Sequence, residues 1–233
     1  MFRRFAHIAA ASLAALTIGL SACSGSTPAE QQTGSQDSKT SETTQNSAAP
    51  AQKKEADPDL ASKILTGEVA GVTLKKLDQL PDLDNALKEV DAQIEPAGCL
   101  NTGITQIAAG ATAVSQTGVE SLLLSSDSAA PSKYKDYAQR CASVSGTMAG
   151  SPVKQSVELQ QAPTIEGVND LVAVKNSSES TVKGQAVNSK AYLLIGSVNG
   201  NTVVAQSITF KGTDPSPETA TELFKAQVEK LKG

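Results

Sequence analysis

From about Val144 onward, apolar residues return at every second position, and that period constrains the fold more than any other feature. A period of two is the side-chain repeat of a strand with one face buried. Val144, Gly146 and Met148 share one face, and Gly150-Ser151-Pro152 reads as a turn. Val153, Val157 and Leu159 then alternate with Lys154, Ser156, Glu158 and Gln160. Lys190–Val198 and Asn201–Phe210 are joined by Asn199-Gly200, the pair a type I′ hairpin turn favours because both central residues need positive φ. A two-residue loop sets Leu193 across from Gln206, Ile195 from Val204 and Ala191 from Ile208, and that face is expected to meet the core. Leu171–Val174 reads as another strand, Val119–Leu124 as a short buried one, and Asn176–Gly184 as a polar loop. Gly103–Ala113 is small and weakly patterned.

Three stretches carry the helical period instead. Over about 82–95, Leu83, Ala86, Leu87, Val90 and Ile94 fall on one face, with Asp82 as N-cap and Pro96 as the stop. Over about 131–141, Tyr134, Tyr137, Ala138 and Cys141 form one stripe; Pro131 suits the first turn, and Ser132 or Asp127 is placed to cap. Over about 216–232, Ser216 serves as N-cap and Pro217 as the first helical residue, ahead of Ala220, Leu223, Phe224, Val228 and Leu231. Before these, Asp59 is placed to cap a short helix over 60–65, and Val72-Thr73-Leu74 reads as an edge strand. The expected fold class is α+β: an antiparallel β meander and hairpin sheet with the three amphipathic helices packed on one face.

The N-terminus is of another kind. Arg3 and Arg4 precede an apolar run from Ile8 to Leu20, shorter than the roughly 20 residues a spanning helix needs. Leu20-Ser21-Ala22-Cys23 follows and resembles the lipobox of bacterial lipoproteins. The resemblance implies a signal peptide over 1–22, a diacylglyceryl anchor on Cys23 and a mature chain beginning there. Residues 23–56 are Ser, Thr, Gln, Ala and Pro with scattered charge, the composition of a disordered tether. Residues 57–233 read as a single α+β domain, long enough for a sizeable core. The expected location is the extracytoplasmic face of a cell membrane, with the membrane as partner through the lipid on Cys23. Stable attachment takes two or more acyl chains.

Composition then excludes several functions. From residue 23 onward the net charge is about −6, so neither nucleic acid nor a polybasic grip on anionic lipid is expected. His7 is the chain's only histidine and lies in the signal region. Without histidine, Ser-His-Asp and Cys-His catalysis and the usual zinc sites are out of reach, and neither cofactor nor metal is expected. There is no Trp, and the tyrosines are Tyr134, Tyr137 and Tyr192, too few for a stacking platform. With Cys23 assigned to the anchor, Cys99 and Cys141 remain in an oxidising setting. A disulfide is the expectation, closing a loop of about 42 residues and worth roughly 4 kcal/mol by chain entropy. Free thiols or a redox pair are the alternative, without the C-x-x-C spacing that would favour them.

Local patterns that suggest chemistry have plainer readings. Ser151-Pro152-Val153-Lys154 fits S-x-x-K, but that nucleophile needs a helix start and further partner motifs, whereas here the chain alternates as a strand. Asp82-Leu83-Asp84-Asn85 begins like a calcium loop but lacks its glycine and its final glutamate. No catalytic residue is assigned, and the chain is not expected to be an enzyme. Tyr134, Tyr137 and Arg140 are the candidate ligand-binding residues. The two phenols would line a cleft, and Arg140, the only arginine after Arg4, would clamp a carboxylate or phosphate.

The order of these parts resembles a known group. An amphipathic helix leads to Pro96-Ala97-Gly98-Cys99, a tyrosine-bearing helix ends in Cys141, and a meander leads to Asp214-Pro215-Ser216-Pro217-Glu218-Thr219-Ala220. Over roughly 80–233 this is similar to the small α+β lipoprotein domains of actinobacteria, related to the extracellular sensor domains of their serine/threonine kinases. It differs from the kinase domains in having one cysteine pair rather than two and no Trp. The resemblance implies a cleft open to a ligand and carries over no catalytic residue. The expected function is non-catalytic binding of a small or lipidic envelope ligand. The alternative is an interaction partner for an envelope enzyme, transporter or kinase.

Overall fold

The computed structural model describes residues 58–80, 91–182, 185–210 and 213–233. Cys23, the tether and residues 82–90 of the helix expected over 82–95 lie outside these residues.

Among the described residues the alternating stretches build one ten-stranded antiparallel sheet, with three helices, an α+β fold. The strands are β1 (Gly67–Val69), β2 (Val72–Lys76), β3 (Ala92–Glu95), β4 (Ile107–Val114), β5 (Gly118–Ser125), β6 (Ser143–Met148), β7 (Ser151–Gln160), β8 (Asn169–Val182), β9 (Gln185–Val198) and β10 (Asn201–Phe210). The helices are α1 (Pro58–Lys63), α2 (Ala130–Arg140) and α3 (Pro217–Lys232). Across the sheet the order is β1-β2-β4-β5-β10-β9-β8-β7-β6-β3. The hairpin register is the expected one, with Gln206 opposite Leu193, Val204 opposite Ile195 and Ile208 opposite Ala191. Asn199 and Gly200 take φ of 49° and 78°, as a type I′ turn requires.

The helices do not share one face. Alternate residues of the central strands face two separate cores. Leu122, Leu124, Leu194 and Val203 pack with α1 and α3, through Leu60, Ile64, Leu223, Phe224 and Val228. Leu123, Leu193, Ile195 and Val204 pack with α2, through Tyr134, Tyr137 and Ala138. This explains why β9 and β10 are nearly continuously apolar at their centres: a strand covered on both sides loses its polar alternation. Gly196 lets α3 approach, since a Cβ there would lie 3.0 Å from Phe224 Cζ and 2.6 Å from Val168 Cγ1. Each fully buried Leu, Phe or Val on α3 contributes roughly 1.5–3 kcal/mol.

Other expectations also change. Ala92–Glu95 is not the end of a helix; it is the edge strand β3, paired with β6 from Ala92↔Met148 to Glu95↔Ser145. Its own burial alternates with period two, and the helical stripe had included only Ile94 from it. Asn176–Val182 is not a loop but the second half of β8, hydrogen-bonded to β7 on one side and β9 on the other. Tertiary pairing overrides the low strand propensity of Asn and Ser there. Val72–Leu74 forms a strand, as expected, but β1 lies outside it at the edge. Gly103–Ala113 contains most of β4. Its small residues are required by packing: a Cβ on Gly110 would sit 2.8 Å from Leu77 Cδ1 and 3.0 Å from Leu123 Cδ2.

Cys99 and Cys141 are disulfide-bonded, with Cα atoms 5.6 Å apart, and both are buried in the α2 core. The bridge joins the turn after β3 to the C-terminal end of α2, rather than the ends of two helices. The start of α2 is organised by Asp127. Its carboxylate accepts hydrogen bonds from Ala129 N at 3.1 Å, Thr105 Oγ1 at 3.1 Å and Lys133 Nζ at 2.7 Å. Burial acts to raise the Asp127 pKa, and these three partners outweigh it and lower the group below the usual range. Ser216 caps α3, its Oγ accepting from Thr219 N at 3.0 Å.

Candidate functional site

The sheet face beneath α2 is less apolar than a core needs to be. Strand pairing sets Gln155 of β7, Ser178 of β8 and Ser189 of β9 in one row. Asn176 lies in the next row between Val157 and Ala191, and Ser180 lies between Val153 and Val187. Gln206 stands between Leu193 and Ser121. All six of these polar side chains are buried, and among the described residues every fully buried polar side chain is neutral.

Part of this ladder is tied to α2. Asn176 Nδ2 donates to Tyr134 Oη at 3.4 Å. Gln155 Nε2 donates to Tyr137 Oη at 3.4 Å, and Tyr137 Oη donates to the Cys99 carbonyl at 3.5 Å. The two rings lie 5.4 Å apart, centroid to centroid, tilted by 45°. Burial pushes both phenols up, against the opposing hydrogen bonds from Asn176 and Gln155, so both stay neutral at physiological pH. The tyrosines thus come together, as expected, but as buried anchors of α2. Arg140 does not join them: it is exposed at the helix end and reaches Tyr137 only through its field.

Three members of the ladder keep unpaired atoms. Asn176 Oδ1, Ser180 Oγ and both amide atoms of Gln206 are buried without a hydrogen-bond partner. Such groups are rare because each forfeits its bonds to water. A groove of about 380 Å³ opens at the edge of the same sheet, lined by Gln93, Ile94, Glu95, Ser145, Gly146 and Thr147. Gly146 pairs with Val153 and Val153 with Ser180, so Ser180 lies two strands in from the groove, roughly 10 Å at ordinary strand spacing.

On the opposite face one carboxyl is unusual. Glu120 Oε1 accepts from Ser207 Oγ at 2.9 Å, and Ser207 Oγ in turn accepts from Ser216 N at 3.1 Å. Glu120 Oε2 is buried without a partner. Burial raises this group to about 7, against the Ser207 hydrogen bond. Ser151 and Lys154 are three residues apart on β7, so they point to opposite faces and cannot act as a pair. Among the described residues no cluster of three or more His, Cys, Asp or Glu could hold a metal ion, and no helix is long and apolar enough to cross a membrane. The arrangement beneath α2 can donate and accept hydrogen bonds.

Sequence reasoning missed Gln206, Asn176 and Ser180. Gln206 was already on the core-facing side of the hairpin, and its polarity there was the available signal. The alternation of Asn176, Ser178 and Ser180 was hidden by a composition that reads as loop.

A scan against protein-family models and a search of curated proteins found no match. A search of solved structures found similarity to an X-ray structure of an uncharacterized protein from Mycobacterium smegmatis, the Rv0999 ortholog, at 16% identity and a TM-score of 0.39. The match covers 70% of this chain and 87% of that one.

Proposed function

We propose that this chain is a membrane-anchored, extracytoplasmic lipoprotein whose folded part binds a small or lipidic envelope ligand without catalysing a reaction. One observation carries the binding reading: a sheet face under α2 buries polar side chains that no protein group satisfies. A purely structural core has no use for them, since each costs about 1–3 kcal/mol unpaired. A ligand that enters this face would supply the missing partners. The anchoring reading rests on Leu20-Ser21-Ala22-Cys23 behind a short apolar run. The tether would then hold the folded part off the membrane with an r.m.s. reach on the order of 30 Å.

Native mass spectrometry of the protein exported and purified from its own host tests this. An added mass that is lost on organic extraction is the expected result. A bare chain mass would move the weight to an interaction partner on the membrane.

A further inference from the structure

We propose that residues 213–216, which lead into α3, form a proton-controlled strap that lies closed on β10 while Glu120 is protonated and lifts when Glu120 ionises. The inference goes beyond the binding reading and does not depend on it.

The strap lies on the sheet face that α1 and α3 cover and is tied to it at three points. Thr209 Oγ1 donates to the Thr213 carbonyl. Lys190 Nζ donates to Asp214 Oδ1 at 2.7 Å. Ser216 N donates to Ser207 Oγ at 3.1 Å. Pro215, between these ties, is buried. The third tie is shared, because the same Ser207 Oγ donates to Glu120 Oε1 at 2.9 Å. Strand pairing sets Glu120 of β5 directly opposite Ser207 of β10, so a single hydroxyl joins the carboxyl to the strap.

The carboxyl suits this arrangement only when it is neutral. A carboxylate needs donors at both oxygens, and Oε2 is buried without a partner. The charges on this face are engaged elsewhere. In the row of Glu120 stand Ala113 on β4 and, beyond Ser207, Tyr192 on β9 and Lys175 on β8. Lys190 and Lys175 both act on Asp214, and Glu218 of α3 acts on Tyr192. Asp59 and Lys63 of α1, Glu68 of β1, Lys76 of β2 and Glu222 of α3 are exposed. None of these charges accounts for the Glu120 pKa of about 7, which burial produces against the Ser207 hydrogen bond. The positive end of α3 favours an anion, but the Ser216 N–H there is bonded to Ser207 and not to the carboxyl.

Ionisation therefore calls for water at Oε2. The strands β4, β5 and β10 are held by their ladders, so the strap is the part that can move aside, and lifting it parts Ser216 N from Ser207. The closed form binds the proton more tightly than an open form whose solvated carboxyl has the ordinary pKa of 4.5. Opening thus grows as pH rises from there to about 7 and then levels off.

Hydrogen–deuterium exchange of the purified protein tests this, read on the peptide carrying Ser216 and Thr219 and corrected for the intrinsic pH dependence of exchange. Between about pH 5.5 and about pH 8.5 its protection is expected to fall at least about tenfold. The centre of β10 is expected to exchange more slowly than the strap throughout, because the strap opens without the sheet unfolding. Glu120→Gln, which keeps an acceptor for Ser207 and cannot ionise, is expected to hold the strap closed over the whole range. Ser207→Ala is expected to loosen it already at about pH 5.5. A parent strap whose protection does not change with pH overturns the inference, and so does a Glu120→Gln strap that keeps the parent's pH dependence. Strap and β10 exchanging at one common rate overturns it too, since the opening is then global unfolding. Unchanged exchange in Ser207→Ala overturns the shared hydroxyl on which it stands.

Discussion

At Glu120 a carboxyl sits where its charged form is poorly solvated, with only Ser207 to stabilise one oxygen. Its pKa of about 7 in the folded protein compares with 4.5 for the ordinary group. The folded state therefore binds this proton more tightly than the unfolded chain does. Below about pH 4.5 both states are protonated and the group has no effect on stability. As pH rises from there through about 7, the unfolded chain releases the proton first, so the folded state loses stability, and above that the loss is complete. Urea midpoints are expected to fall between about pH 5 and about pH 8, and Glu120→Gln to remove that fall and raise the midpoint at the alkaline end. The variant keeping the same slope as the parent chain would refute this. The described residues contain no histidine to titrate in that window. Asp127 and Asp214 are both lowered, Asp127 by Lys133, Thr105 and Ala129 against burial, and Asp214 by Lys190. Their contributions disappear only in more acid solution.

At the level of elements, α3 holds the molecule together through polar as well as apolar contacts. Ser216 accepts the Thr219 N–H and so satisfies one of the helix's free donors. Ser216→Ala should lower stability by about 1 kcal/mol, read from equilibrium urea unfolding. Gln227 has the larger role, because its loss leaves Leu65 N and Lys63 O without partners. Gln227→Leu should cost at least about 2 kcal/mol in the same measurement. Gln206→Leu, the same change on the other face, should not destabilise at all. If the two substitutions have equal effects, the contrast between a satisfied and an unsatisfied glutamine is wrong. Elsewhere, β6 and β3 come close enough that Gly146 has no room for a side chain, a Cβ there meeting the Gln93 carbonyl. Gly146→Ala should therefore detach β3 and open the groove, seen as faster amide exchange over Ala92–Glu95.

For the whole molecule, the disulfide secures the side of the sheet that α2 covers. The sheet runs from β1 to β3 through eight other strands, and β3 reaches the far edge only because the chain crosses over after β2 and returns for β4. Such non-local pairing is entropically demanding, and the Cys99–Cys141 bridge shortens the unfolded chain's freedom over 42 residues of it. Replacing both cysteines by alanine should lower stability by roughly 2–4 kcal/mol, measured by urea unfolding. Peptide mapping without reductant should recover Cys99 and Cys141 in one linked peptide, and finding free thiols there would contradict the bridge.

The sequence by itself determined the local repeats. Period-two stretches, Asn199-Gly200, and Ser216 ahead of Pro217 are short-range instructions, and β7, β9, β10, α2 and α3 formed close to where they pointed. The cysteine pair was legible because, with Cys23 expected to carry the anchor, Cys99 and Cys141 were the two that remained. The tertiary structure decided which side each helix covers, because an apolar stripe specifies that it is buried and not against what. It also made strands of Ala92–Glu95 and Asn176–Val182, whose partners come from elsewhere in the chain. The candidate site belongs to this second kind. Gln206, Asn176 and Ser180 are ordinary polar residues until the assembly of β8 and β10 into one sheet buries them on one face, and only then does the absence of a partner acquire a physical meaning.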